Sequence, residues 1–97
     1  MSRDLVVRRR ALVEAEQARD YYQHVEHGRR FLHDFEGVLE AIRAMPLRFP
    51  AKVGPLRRAL LRRYPYAVFF RIRPDSGTVV ILAVIHQRRD PATWPRP

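Results

Sequence analysis

The sequence has no cysteine, and of its nineteen basic residues only Lys52 is a lysine. The lack of cysteine excludes a disulfide framework, a thiol nucleophile and any thiolate metal site, and it fits a reducing compartment. Long apolar runs are missing too: none approaches the roughly 20 residues a membrane-spanning helix needs. The first residues, MSRDLVVRRRALVEAE, turn charged at once and hold no apolar core of a secretory leader. No membrane association is therefore expected, and a cytoplasmic location is predicted. Repeats and low-complexity linkers are absent as well. Acid is scarce where base is dense. Eight of the ten carboxylates lie between Asp4 and Glu40, and none falls between Arg48 and Arg73.

What is there is arginine, on a chain of 97 residues with a net charge of +9. That length argues for one domain, 1–97, with one modest core. Hydrophobic residues make up 46% and charged residues 30%, the balance of a globular rather than a disordered chain. The guanidinium excess suits nucleic acid or an acidic protein partner, and charge alone does not choose between them.

Hydrophobic spacing organises the chain. Leu5–Arg9 reads as a short strand. Ala11, Ala15, Ala18, Tyr22 and Val25 then recur at helical steps, and Gly28 is placed as the stop. A second helical period runs through Phe31, Phe35, Val38, Leu39, Ile42 and Met45 to Pro46, so the two helices form an antiparallel hairpin. Residues 46–55, with three prolines and a glycine, read as a loop. Beyond it the period falls to two. Leu56–Arg62 is a candidate edge strand whose arginines discourage stray pairing. Along 66–73, Tyr66, Val68, Phe70 and Ile72 point one way, and Ala67, Phe69, Arg71 and Arg73 the other. Pro74-Asp75-Ser76-Gly77 is a strong turn. The aliphatic stretch 78–87 reads as a central strand buried on both faces, and 88–97 as an irregular tail. The fold class is α+β, in the order β-α-α-β-β-β, with an antiparallel sheet packed on a helical hairpin. Its helix-free face should carry Phe69, Arg71 and Arg73 together with arginines of 56–62.

Two blocks resemble a known family. "VGPLRRALLRRYPYAVFFRI" and "VVILAVIHQRRDPATW", joined by a turn, look like the C-terminal half of RelE/ParE-type toxins. The helical half agrees, in "EAEQARDYY", "GRRFLHDFEGVLEAI" and the P-x-x-F-P of Pro46–Pro50. Tyr64-Pro65-Tyr66 and His86-x-Arg88-Arg89-Asp90-Pro91 are the most specific pieces. The resemblance implies a toxin of a type II toxin–antitoxin system, of the kind that stabilises plasmids, neutralised by a wrapping antitoxin. RelE-like members cleave mRNA on the ribosome, whereas ParE-like members poison DNA gyrase without nuclease activity. The H-x-R-R-D-P ending resembles the ParE branch. Ribonuclease members carry an arginine where Ala67 stands and a late tyrosine, for which Trp94 is the nearest counterpart. The leading expectation is thus growth inhibition through a protein target, DNA gyrase, with no catalytic residues, cofactor or metal.

Each candidate residue has a plain alternative. RNA cleavage needs a base, an acid and cations around the phosphate. His86, Arg71, Arg73 and Arg88 are the set that would serve, provided His86 and Arg71 share an open face. Otherwise His86 caps a strand end. His24, His27 and His33 invite a metal but lack a second ligand cluster, so solvated histidines are expected. Arg88, Arg89, Trp94, Arg71 and Arg73 are the candidates for target binding. Tyr21, Arg57, Arg58 and Arg62 are those for antitoxin binding, against the reading of a solvated edge. Tyr22, Phe31 and Phe35 are assigned to the core. Besides the ribonuclease, the remaining rival is an inactive relative retained for its complex with the antitoxin.

Overall fold

A computed structural model describes residues 3–22 and 25–96. The elements are β1 (Leu5–Val7), α1 (Arg9–Tyr21), α2 (Val25–Ala44), a 3-10 turn (Pro46–Arg48), β2 (Ala51–Val53), β3 (Leu56–Leu60), β4 (Tyr66–Ile72), β5 (Val79–His86) and a second 3-10 turn (Pro91–Thr93). The two helical stripes and the β4–β5 hairpin fall where the hydrophobic periods place them. Ala11, Ala15 and Ala18 are buried along α1, and their small side chains let the helix lie close against β5. Phe31, Phe35, Val38 and Ile42 form the buried stripe of α2. Both stripes meet Val68, Phe70, Val79, Ile81 and Val84 on one face of the sheet, which is the main core.

Gly28 is not a helix stop. The break comes earlier: α1 ends at Tyr21, the Tyr22 amide caps it by donating to Ala18 and Arg19 carbonyls, and Val25 opens α2 rather than closing α1. Gly28 lies inside α2 where the helices cross. A β-carbon there would come within 3.3 Å of the Arg19 carbonyl oxygen and 3.4 Å of that of Tyr22. The spacing signal was a helix–helix contact, not a terminus.

The sheet has the order β1-β5-β4-β3-β2, antiparallel except that β1 runs parallel to β5. Two expectations about the middle of the chain change. The loop 46–55 contains a strand, β2, turned into β3 through Gly54 at φ 53°. Consequently 56–60 is an interior strand, and the exposed edge belongs to β2. Proline hid β2, because Pro50 and Pro55 flank it and bar pairing only at their own positions. The 74–77 turn is as expected: Gly77 has φ 74° and donates its amide to the Arg73 carbonyl, and the Arg73 amide donates to the Thr78 carbonyl.

A β-bulge reorders β5. Phe69 faces Ala83 but Phe70 faces Ile81, so Leu82 has no partner of its own. Across the bulge the parity flips. Val79 and Ile81 face the helices before it, Val84 after it, and Ala83 and Ile85 face away.

Candidate functional site

The helix-free face of the sheet is not the open basic surface expected, with Phe69 set in it. Leu56, Ala67, Phe69, Ala83 and Ile85 form a second, smaller core there. The tail closes it. Trp94 sets its ring 4.9 Å from that of Phe69, which is only 1% exposed. Asp90 caps the 3-10 turn, its side chain accepting from the Ala92 amide, and Arg10 of α1 donates to the Thr93 carbonyl at 2.8 Å. The segment 88–96 is thus a strap with local order. Arg58 lies over the indole of Trp94 at 5.7 Å, a cation–π contact on the rim of this face.

Arg71 shares that face with Phe69, by strand alternation, and Arg73 is exposed at the hairpin turn. Arg57 does not join them. Its guanidinium donates to the Phe49 carbonyl on the helix side at 2.6 Å. Arg88 and Arg89 are exposed in the turn after β5, at the opposite end of the β4–β5 hairpin from Arg71 and Arg73. The six register steps from Tyr66↔His86 to Ile72↔Val79 span about 20 Å at the usual strand rise. The five target-binding candidates therefore form two separated cationic ends with Trp94 between them. Of the antitoxin-binding candidates, Tyr21 is 78% exposed at the end of α1, Arg58 is on the tail side, and Arg62 lines a cleft on the helix side. The fold does not gather them into one patch.

His86 and Arg71 stand on opposite faces. The bulge turns His86 toward the helices, where its ring meets Tyr66 at 5.3 Å. Its Nδ1 accepts from the Arg88 amide at 3.1 Å, which caps the strand end. Around it lies an aromatic cluster. Tyr22 stacks on Phe31 and meets Tyr64 and Tyr66 edge-on, and the Tyr64 hydroxyl donates to the His27 carbonyl. Burial raises the Tyr22 phenol above its usual value, and the neighbouring Tyr66, Tyr21 and Tyr64 add to that. Burial also raises Tyr66, with Tyr21 adding and Arg89 opposing. These are core groups held neutral, not poised acids.

His27 and His33 are exposed on α2, and His24 lies outside the described residues. Among the described residues no three metal-binding side chains converge, and no helix is long and apolar enough to cross a membrane.

Two features escaped the sequence. The first is Glu14. β1 ends at Val7, leaving the outer edge of β5 unpaired beyond Ile81, and the Glu14 carboxylate accepts from the Val84 amide at 3.0 Å while pairing with Arg10. The second is a cleft of about 780 Å³ between α2 and the end of β3, with Arg29, His33 and Gly37 on one wall and Arg48, Arg62 and Arg63 on the other. The unbroken basic run after Arg48 hinted at the second wall; nothing in the spacing paired it with α2.

Comparison with known proteins bears on most of the chain. The family model described as "ParE toxin of type II toxin-antitoxin system, parDE" matches residues 5–91. A solved structure from the chromosomal ParDE system of P. aeruginosa superposes with a TM-score of 0.71 at 19% identity, covering 88% of this chain and 96% of that one. The RelBE2 toxin–antitoxin complex of Mycobacterium tuberculosis gives 0.64 at 22% identity, covering 89% and 99%. A mutant of the E. coli toxin RelE in its free state gives 0.65 at 14% identity, covering 91% and 86%. Among curated protein sequences no match is found. At these identities the structures speak for the fold, and they span both branches of it.

Proposed function

The chain belongs to the ParE toxin family of type II toxin–antitoxin systems, and from that premise we propose that it arrests growth by binding a protein target, DNA gyrase, without cleaving RNA, until a cognate antitoxin neutralises it. One observation carries the choice between the branches. His86 and Arg71, which any ribonuclease site built from these residues must bring together, lie on opposite faces of the sheet and near opposite ends of the β4–β5 hairpin. A base and a phosphate-binding cation must flank the same scissile bond. The engagement of His86 Nδ1 with the Arg88 amide supports a capping role instead. Ala67 is consistent with this: it is buried, where a ribonuclease would present a cation.

The target surface we assign is the tail side, namely Trp94 with Arg58, Arg71 and Arg73, extended by Arg88 and Arg89 at the far turn. It combines a partly exposed indole, cations and backbone of low acid content. The antitoxin is the partner that this family membership implies, and the basic second half is complementary to an acidic chain.

Purified protein in a supercoiling assay with gyrase should block supercoiling and leave a messenger RNA intact, with or without ribosomes. Arg71→Ala with Trp94→Ala should weaken inhibition, whereas His86→Ala should retain it. Transcript cleavage lost in His86→Ala and Arg71→Ala would reverse the assignment to a ribonuclease. Normal growth on expression without antitoxin would leave an inactive relative.

A further inference from the structure

We infer that Arg10 is a positioning residue for the target surface: from α1 it holds the tail strap in place, and with it Trp94 and Arg58, and Glu14 aims it. This rests on the target surface proposed above and names what orders it.

The indole at the centre of that surface has two contacts of its own. Its ring meets Phe69 at 4.9 Å, and the Arg58 guanidinium lies 5.7 Å from its centre. Neither fixes the backbone that carries it. Apolar rings slide on one another, and a cation over a partly exposed ring is held weakly. Residues 90–94 bond among themselves. The Asp90 carboxylate accepts from the Ala92 amide, the Asp90 carbonyl accepts from the Thr93 amide and hydroxyl, and the Trp94 amide donates to the Pro91 carbonyl. Such a turn is ordered within itself but not tied to the fold. Among the described residues, the one hydrogen bond joining 90–96 to the body of the protein runs from Arg10 Nη2 to the Thr93 carbonyl, at 2.8 Å. That carbonyl precedes Trp94 directly, so whatever fixes it fixes the indole.

Arg10 is itself aimed. A long side chain at the surface has many rotamers, and ordering it costs entropy. Here the Glu14 carboxylate, one helical turn on, pairs with Arg10 Nε at 3.4 Å and leaves the terminal nitrogen for Thr93. The rigid planar fork presents those two donors in fixed directions. Glu14 is anchored in turn. It accepts from the Val84 amide at 3.0 Å, and its side chain is 24% exposed against 46% for Arg10. A neutral amide oxygen would satisfy Val84 equally well. The negative charge serves Arg10, the one cation with which Glu14 pairs among the described residues. A line of contacts thus runs from the unpaired edge of β5, through Glu14 and Arg10, to Thr93, Trp94 and the helix-free face of β4.

The test uses the full chain. Trp94 is its only tryptophan, so acrylamide quenching of the intrinsic fluorescence reads the strap directly. Arg10→Ala should raise the quenching constant, shift the emission to longer wavelength and weaken inhibition of gyrase supercoiling by roughly fivefold, as for the loss of one charge-assisted hydrogen bond near the surface. Glu14→Gln keeps an oxygen for the Val84 amide and loses only the charge. It should move the same readouts in the same direction, by about twofold in inhibition, with the melting temperature nearly unchanged. A lowered melting temperature in both variants, with quenching and inhibition of the folded protein at wild-type values, would mean a merely structural pair and overturns the inference. Unchanged quenching in Arg10→Ala, with the wild type inhibiting, overturns the tie to the strap and leaves the target standing. Raised quenching with unchanged inhibition overturns the positioning role, because the target is then indifferent to the strap. A wild-type chain that leaves supercoiling untouched overturns the gyrase reading and the positioning role together.

Discussion

The two faces of the sheet are built by different means. The helix side is closed by two amphipathic helices whose stripes recur over α1 and α2, and it buries Phe31, Phe70, Ile42 and Ile81 completely. The other side is closed by one short strap, through Trp94 and the exposed rim around it. The first closure is redundant, since many side chains share it. The second hangs on an indole, a 3-10 turn and the Arg10–Thr93 bond. A face held so lightly is suited to exchange contacts with a partner, and that is the side on which the proposed target surface lies.

Breaking the helix side should have the largest effect. Phe70→Ala removes a fully buried ring that meets Phe49 edge-on, and it should lower stability by about 3–5 kcal/mol in chemical denaturation. Trp94→Ala should cost less, about 1–2 kcal/mol, because the indole is partly exposed, while uncovering Phe69 enough to raise binding of a hydrophobic dye. A loss equal to that of Phe70→Ala would erase the distinction between the faces. Glu14→Ala leaves the Val84 amide without its acceptor, and a loss of about 1 kcal/mol is expected. Hydrogen exchange at Val84 should quicken more than at Val68, which lies in the paired interior. The smallest effect is at high pH. Folding holds the Tyr22 and Tyr66 phenols above their usual value, so the unfolded chain releases those protons first. Stability is therefore full below the ordinary tyrosine range near 10 and falls as pH rises through it toward the raised folded values. Tyr22→Phe should flatten that decline and leave the neutral-pH melting temperature nearly unchanged. An equal slope in wild type and variant would remove Tyr22 from the account.

Much of this was legible residue by residue. Val68 and Phe70 against Ala67 and Phe69 give the two faces of β4 by alternation alone, and Pro74–Gly77 gives the hairpin that joins it to β5. Ala11, Ala15 and Ala18 give the buried face of α1 by their spacing. Other features were hidden because their cause lies far along the chain. Gly28 carries the composition of a helix end, and only the position of α1 makes it a crossing. β2 is too short and too closely flanked by proline to register as a strand, and it exists because β3 offers it a partner. The candidate site was legible in kind and not in grouping: cations after Arg48 and an indole in the tail were visible, but not that Arg57, Arg58 and Arg62 would point three ways.

The sequence by itself determined the helical stripes, the β4–β5 hairpin, the faces of β4 and the sign of the surface, because periodicity, turn chemistry and formal charge are properties of neighbouring residues. Only the tertiary structure decided which groups meet. One unpaired residue at Leu82 turns His86 from the face of Arg71 to the face of the helices, and a tail many residues from β4 covers Phe69. Both outcomes depend on hydrogen-bond register and packing between distant segments, and no local pattern encodes them.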